Sequence, residues 1–337
     1  MERRQEMADF GVGMIGCGGF GRTHAQVIAD RPDTELVACC DIERDRAQAF
    51  SQQYADGKAK VFTNFEKMYA QAKMDMVYIC LPPYAHSNEV EMAAERGIHV
   101  FIEKPIALTM KAANQMARAV KQAGVKSQVG FMLRHAGAVE MVKEQLDSGE
   151  AGRPSLFSGR YYCNSLHTPW WRDKSKSGGQ VVEQVIHTYD LCRYLLGKPT
   201  SVYCRQDNLF HKEVEGYTVE DVSASVITFE NGALASIMGT NTAIPNRWLS
   251  YWDLITERRA VHFTDGNHAD MHYTDRSPSP QLSIASEKNG HLAETLDLLA
   301  AIRDDGETRC PISEGAETLR LVLGAARSAK RGDPVKL

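Results

Sequence analysis

The chain has 337 residues, two domains' worth at ~150 residues per domain, and its 43% hydrophobic and 24% charged residues exclude a disordered or fibrous protein. Its 39 Lys and Arg against 43 Asp and Glu leave a formal net charge of −4, so the basic excess that marks nucleic-acid or anionic-membrane binders is missing. The longest apolar runs, such as Met76 to Pro83, are strand-sized and far short of the ~20 residues of a membrane-spanning helix.

Met1 to Phe10 carries Glu2, Arg3, Arg4, Glu6 and Asp9, lacks the apolar centre of a signal peptide, and reads as an irregular N-terminus. Strand and helix patterns then alternate: strand Gly11–Gly16, helix Phe20–Ala29, strand Glu35–Asp41, helix Glu43–Tyr54, strand Asp75–Leu81. Helix Ala85–Arg96 closed by Gly97, strand His99–Ile102, helix Thr109–Ala123 closed by Gly124, and strand Ser127–Phe131 complete the series. Short apolar runs separated by helices predict a parallel, doubly wound sheet covered on both faces, here an α/β Rossmann-type domain over residues 1–131.

From 132 to 337 the pattern becomes that of an α+β domain, expected to bind substrate and to oligomerise. Helix Ala138–Gly149 leads to strand Ser155–Cys163, a polar loop Asn164–Gly179 and one helix Val181–Leu196 ended by Gly197. Strands follow at Val202–Phe210, Val222–Glu230, Ala233–Gly239, Trp248–Thr256 and Ala260–Thr264, with Asn231-Gly232 as a hairpin turn, so an open, mainly antiparallel sheet is expected. The tail His291–Lys330 reads as two helices. The eight cysteines form no C-x-x-C pair, and Cys17, Cys39, Cys40 and Cys80 lie in or beside apolar strand runs, which predicts reduced thiols and a cytoplasmic setting.

Gly16-Cys17-Gly18-Gly19-Phe20-Gly21 matches G-x-G-x-x-G between the first strand and the first helix. Gly16 permits the tight turn, Gly18 lets a pyrophosphate approach the backbone, Gly21 lets helix and strand pack closely, and the helix N-terminus attracts the anion. Asp41 ends the second strand 20 residues after Gly21, where a carboxylate bonds ribose hydroxyls. That charge repels a 2′-phosphate unless Arg44 or Arg46 compensates, so NAD is expected over NADP. Glu103-Lys104-Pro105 stands at the carboxyl end of strand His99–Ile102, the edge where open parallel sheets bind ligands. A solvated loop lysine is the plain alternative for Lys104.

These motifs, with Thr23-His24, Pro82-Pro83-Tyr84-Ala85-His86 and Ser177 to His187 continuing through Asp190 to Gly197, resemble the glucose–fructose oxidoreductase/inositol dehydrogenase/rhizopine-catabolism (Gfo/Idh/MocA) family of NAD(P)-dependent oxidoreductases. The resemblance runs through the first ~200 residues in order, and the remainder fits the family's antiparallel C-terminal domain. It implies a dehydrogenase acting on a secondary alcohol of a sugar, sugar derivative or cyclitol, with Lys104 as catalytic acid/base or its close partner. The family's D-x-G-x-H helix carries over as Glu183 and His187, with glutamate for aspartate and Val185 for glycine as departures. A spacing of four puts both on one helical face, and Asp190 could orient the imidazole or pair with Arg193. Either Lys104 or His187 takes the hydroxyl proton.

The resemblance also puts Leu81, Pro82 and His86, with Glu103 and Lys104, against the dinucleotide beside Gly16, Gly18, Gly19, Phe20, Gly21 and Asp41. Arg134 is a candidate for the nicotinamide side. Tyr162, Asn164, His167, Trp170, Trp171 and Arg172 are candidates for a polyol pocket, beside Lys104, Glu183 and His187. His262, His268 and His272 have no matched carboxylate or thiol set, so no metal is expected. Relatives imply a homodimer or homotetramer. Two further roles occur in the family: redox-assisted glycoside cleavage with NAD, and dinucleotide sensing without catalysis.

Overall fold

Phe10–Ile15 (β1), a run buried from Val12 onward, opens the fold in a computed structural model that describes residues 8–337. The expected irregular N-terminus, Met1 to Phe10, therefore falls mostly outside the described residues. α1 (Gly19–Ala29), β2 (Thr34–Cys40), α2 (Arg44–Ala55), β3 (Lys60–Phe62), α3 (Phe65–Gln71) and β4 (Met76–Ile79) follow in order. Then come α4 (Glu89–Ala94), β5 (His99–Ile102), α5 (Met110–Ala123) and β6 (Ser127–Val129). All strand pairings in this sheet are parallel, in the order β3-β2-β1-β4-β5-β6. The order reverses between β1 and β4, the switch point where such sheets bind ligands.

β3 and α3 had no clear periodic signal, being short and only partly buried. The expected helix Ala85–Arg96 is shorter. A 3₁₀ turn occupies Pro83–Ala85, and the helix starts only at Glu89. The Glu89 carboxylate accepts from the Ser87 backbone N–H at 2.7 Å and meets His86 Nδ1 at 2.5 Å, bonds that hold the preceding residues in a turn.

The chain divides into two compact units. One holds the described chain up to Ile106, with Lys111–Gly130 and His291–Gly315; the other holds Ala107–Met110, Phe131–Gly290 and Ala316–Leu337. The first unit thus takes α11 (Gly290–Arg303) from far along the chain, apart from its first residue. Leu298 and Leu299 join Val12, Met14, Tyr78 and Phe101 in its core, and Tyr78 donates its hydroxyl to Thr295 at 3.1 Å. Burying such side chains contributes roughly 1.5–3 kcal/mol each.

The second unit contains α6 (Gly137–Asp147), β7 (Pro154–Tyr162), α7 (Pro169–Arg172), α8 (Lys174–Ser177), α9 (Gln180–Glu183) and α10 (Ile186–Leu196). β8 (Pro199–Asp207), β9 (Val222–Phe229), β10 (Leu234–Thr240), β11 (Leu249–Thr256), β12 (Arg259–Phe263), β13 (His268–Tyr273) and β14 (Gln281–Ala285) follow. The nine-stranded order is β14-β13-β12-β11-β7-β10-β9-β8-β15, with β15 at Val335–Lys336. Every pair is antiparallel except β7 with β10. Asn231-Gly232 turns the β9–β10 hairpin, with Gly232 at φ +87°. α10 and α12 (Ile312–Arg331) contact the sheet, through Tyr189 Oη to Ser225 and through Ser328 Oγ to the Cys204 amide at 3.0 Å.

Two expectations for this unit are corrected. The polar loop Asn164–Gly179 contains the two helical turns α7 and α8, each stabilised locally; Asp173, for example, accepts the Ser175 N–H at 2.9 Å. The single helix Val181–Leu196 is broken after Glu183. The Gln180 carbonyl accepts both the Gln184 and the Val185 N–H at 3.0 Å, so the ladder slips to a wider turn before α10 begins. Val185 is fully buried against Gly239, where an added Cβ would stand 2.7 Å from Val185 Cγ2. Val185 keeps a helical-region backbone (φ −75°, ψ −10°) and stands as the N-cap of α10.

Candidate active site

Gly16 follows β1, Asp41 follows β2, Leu81 and Pro82 lie just past β4, and Glu103 and Lys104 follow β5. Because these four strands are adjacent and parallel, the predicted motifs of the first unit share one sheet edge. Gly16 adopts φ +91°, and a Cβ there would lie 2.4 Å from the Cys80 carbonyl oxygen. A Cβ on Gly21 would lie 2.2 Å from the Gly16 carbonyl oxygen. At Gly18 and Gly19, by contrast, an added Cβ would meet nothing within 4 Å. The loop is tight where helix meets strand and open where a pyrophosphate would rest.

α1 starts with Gly18 at its N-cap, without a side-chain cap and with no acidic residue in its first turn, so its leading amides and dipole remain available to an anion. Asp41 is 7% exposed and binds this loop: its Oδ2 accepts the Cys17 N–H at 3.0 Å. Its Oδ1 accepts the Glu43 N–H and Arg46 Nη1, both at 3.0 Å, and Arg46 Nη2 also meets Glu43 at 3.0 Å. Two flanking side chains carry no signal in periodicity: Phe20, 51% exposed, and Ile42, 87% exposed beside Asp41. The open glycines, the uncapped helix and the Asp41 carboxylate all fit a dinucleotide.

Lys104 is 9% exposed and its peptide bond to Pro105 is cis. Glu103 faces inward: Oε1 meets His24 Nε2 at 2.7 Å and Oε2 accepts the Lys104 N–H at 3.2 Å. Burial alone would raise the Glu103 carboxyl, but the His24 hydrogen bond and the charges of His24 and Lys104 outweigh it and hold it below the usual carboxylate range. His86 is also committed locally, to Glu89.

In the second unit, Glu183 and His187 are the only residues between Gln180 and Cys192 that are not buried. The wide turn separates them into α9 and α10, correcting the expectation of one continuous helical face. Trp171 Nε1 donates to Glu183 Oε2 at 2.6 Å, and the His187 ring sits edge-on to Phe131 with centroids 6.1 Å apart. The carboxylate of Asp190 is taken by Arg134, through Nε at 2.8 Å and Nη2 at 2.7 Å, and by Thr318 Oγ1 at 2.7 Å. Arg134 is 1% exposed. This buried bidentate pair is the acid-pairing alternative to a nicotinamide contact, and Arg193 turns to Thr318 rather than to Asp190.

The polyol candidates are unevenly placed. Tyr162, Trp170 and His167 are partly exposed; the His167 ring packs 4.1 Å from Trp171 and 5.9 Å from the exposed Trp248, which sequence patterning did not single out. Trp171 is 2% exposed and packs with Tyr217 and Val219. Arg172 donates to the Leu166 and His167 carbonyls, both at 3.0 Å, and Asn164 Nδ2 to the Ala243 carbonyl at 2.8 Å, so these two side chains hold the loop together. His262 pairs with Asp253 at 2.7 Å and His268 with Asp265 at 2.9 Å.

Comparison with known proteins agrees with this geometry. The pattern described as "Oxidoreductase family, NAD-binding Rossmann fold" matches residues 10–131, and that described as "GFO/IDH/MocA C-terminal domain" matches residues 139–269. A scyllo-inositol 2-dehydrogenase (NAD(+)) of Bacillus subtilis is 30% identical over 68% of this chain and 67% of its own length. A D-apiose dehydrogenase of Paraburkholderia graminis is 27% identical over 96% of this chain and 88% of its own. The structure of a levoglucosan dehydrogenase with NADH and L-sorbose superposes with a TM-score of 0.90 at 20% identity, covering 98% of this chain and 99% of that one, which establishes a shared fold.

Proposed function

The chain belongs to the Gfo/Idh/MocA oxidoreductase family, and we propose that it oxidises a secondary hydroxyl of a cyclitol or sugar with NAD. The observation that carries this is the convergence of the open glycine loop, Asp41 and Lys104 on adjacent ends of one parallel sheet. Gly16, Gly18, Gly19, Phe20 and Gly21 would hold the pyrophosphate, Asp41 the adenosine ribose, and Ile42 the adenine, with Leu81 and Pro82 further along the edge. Bound there, NAD supplies the hydride acceptor. NAD is favoured over NADP because Arg46, the cation nearest Asp41, is already bonded to two carboxylates.

Lys104 and His187 are the proposed proton-handling groups. Glu183, fixed by the Trp171 indole, is the proposed acceptor for a substrate hydroxyl, and Tyr162 lies on the neighbouring strand β7. Two copies would associate through the second sheet, where Ile255, Leu156 and Leu234 align across β11, β7 and β10 and are 37%, 44% and 48% exposed.

The test is NAD reduction across myo-inositol, scyllo-inositol, D-glucose, D-apiose, levoglucosan and methyl glucoside, on wild type and on Lys104→Ala and His187→Ala. NADH formation with at least one compound, lost in both variants, is expected. No NADH from the whole panel, or free sugar released from methyl glucoside without NADH, overturns the proposal. Light scattering on Leu156→Lys/Leu234→Lys checks the assembly, which is expected to fall apart to monomers.

A further inference from the structure

Within the first unit, Glu103 of the Glu103-Lys104-Pro105 turn forms a buried pair with His24, which lies outside the glycine loop. His24 is fully buried on the second turn of α1, its ring 4.6 Å from Phe101 of β5 and 5.4 Å from Tyr78 of β4. Glu103, 5% exposed, cannot be solvated, and a buried carboxylate persists only with partners. Its two oxygens divide between His24 Nε2 and the Lys104 amide. The third wall is Gly130, directly after β6, where an added Cβ would lie 2.9 Å from Cδ, Oε1 and Oε2 of Glu103. From α11, His291 and Glu294 also face this cluster, and burial favours the neutral form of each. The carboxylate is thus gripped by the helix that begins at the phosphate loop, by the strand end that carries Lys104, and by a glycine that leaves it room.

We propose that His24 and Glu103, seated by Gly130, are positioning residues that hold the Lys104 backbone in register with the dinucleotide loop. This rests on the dehydrogenase function proposed above and adds three residues to it. The Glu103 carboxylate bonds the peptide N–H of Lys104 itself, so the Lys104 backbone cannot shift without breaking a charge-assisted bond in a dry setting. A displacement of about 1 Å at a reacting group costs ~10²-fold in rate.

The test uses the full-length protein and the panel compound oxidised fastest, with kcat normalised to NADH-binding sites counted by fluorescence titration. His24→Leu and Gly130→Ala should each lower that kcat by ~10–100-fold while KM for NAD stays within about twofold. His24→Gln, whose amide can still donate to Glu103, should recover to within about threefold of wild type. In a Glu103→Ala background, Gly130→Ala should add no further loss, because its effect passes through that carboxylate. Wild-type kcat per site in His24→Leu while Lys104→Ala is dead overturns this proposal alone, as does an equal Gly130→Ala loss with and without Glu103. Full activity in Lys104→Ala overturns the dehydrogenase mechanism and this proposal with it.

Discussion

The Trp171 indole donates a 2.6 Å hydrogen bond to Glu183, and only the carboxylate end of that pair reaches the surface. Trp171 is packed against Tyr217 and Val219, so its N–H is a fixed donor, and it orients the one acidic group of α9. A glutamate arm is a methylene longer than an aspartate and has an additional torsion to restrain. The indole restrains it.

Replacing Trp171 by Phe keeps the ring packing and removes the donor. A hydrogen bond to a charged acceptor is worth ~1.5–3 kcal/mol, so the KM for the polyol should rise ~10-fold or more with little change in KM for NAD. Steady-state kinetics with each substrate varied in turn decides this; an unchanged polyol KM would remove Glu183 from substrate binding.

Asp41 serves the loop and the proposed ribose contact together, and Asn separates the two. Asp41→Asn still accepts the Cys17 N–H but releases Arg46 from its ion pair. The ratio of kcat/KM for NADP over NAD is expected to increase by ~10-fold or more, each tenfold step being ~1.4 kcal/mol. An unmoved ratio would show that Asp41 does not read the ribose.

The glycine loop separates packing from ligand approach. Gly21→Ala places a methyl against backbone that cannot yield, and should lower stability by ~1–3 kcal/mol as well as weaken NADH binding. Gly18→Ala points into open space and should leave the melting temperature near wild type while weakening NADH. Thermal melts alongside NADH titrations distinguish the two.

Arg134 and Asp190 are each 1% exposed and bonded twice to each other. Arg134→Met leaves a buried carboxylate without its cation and should cost ~3–5 kcal/mol by denaturant unfolding. Removing both partners, as Arg134→Met/Asp190→Leu, should restore much of that loss.

Glu294 is fully buried, and burial pushes its carboxyl well above the ordinary range, with Glu103 adding to the push and His24 opposing it. A carboxyl raised in the folded state favours folding fully below its unfolded pKa of ~4.3, and that contribution is lost as pH rises through the folded value. Glu294→Gln has no proton to lose. Its melting temperature relative to wild type should therefore climb as pH rises above the unfolded value of ~4.3; a difference independent of pH would contradict the shift.

Much of the first unit was legible along the chain because its information is local. A glycine loop between a strand and a helix, an acid at the next strand end, and Gly97 and Gly124 as helix closers are short-range requirements of backbone geometry, and all appear in place. The Asn231-Gly232 hairpin is legible for the same reason. The break between Glu183 and His187 was not, because the periodicity there is that of one helix; Val185, in the wide turn, packs on Gly239, 54 residues away, a contact the local pattern does not carry.

What the sequence alone determined is therefore the order of elements and the types of residue offered at each strand end, since turn and helix-end geometry depend on neighbours a few residues apart. Only the folded chain decided what each offered side chain is spent on. Arg134 is given to Asp190, His86 to Glu89, Trp171 to Glu183, and Glu103 to His24 across 79 residues. A buried polar group must find its partner wherever the packing brings one within hydrogen-bond reach, and that distance has no fixed counterpart in residue number.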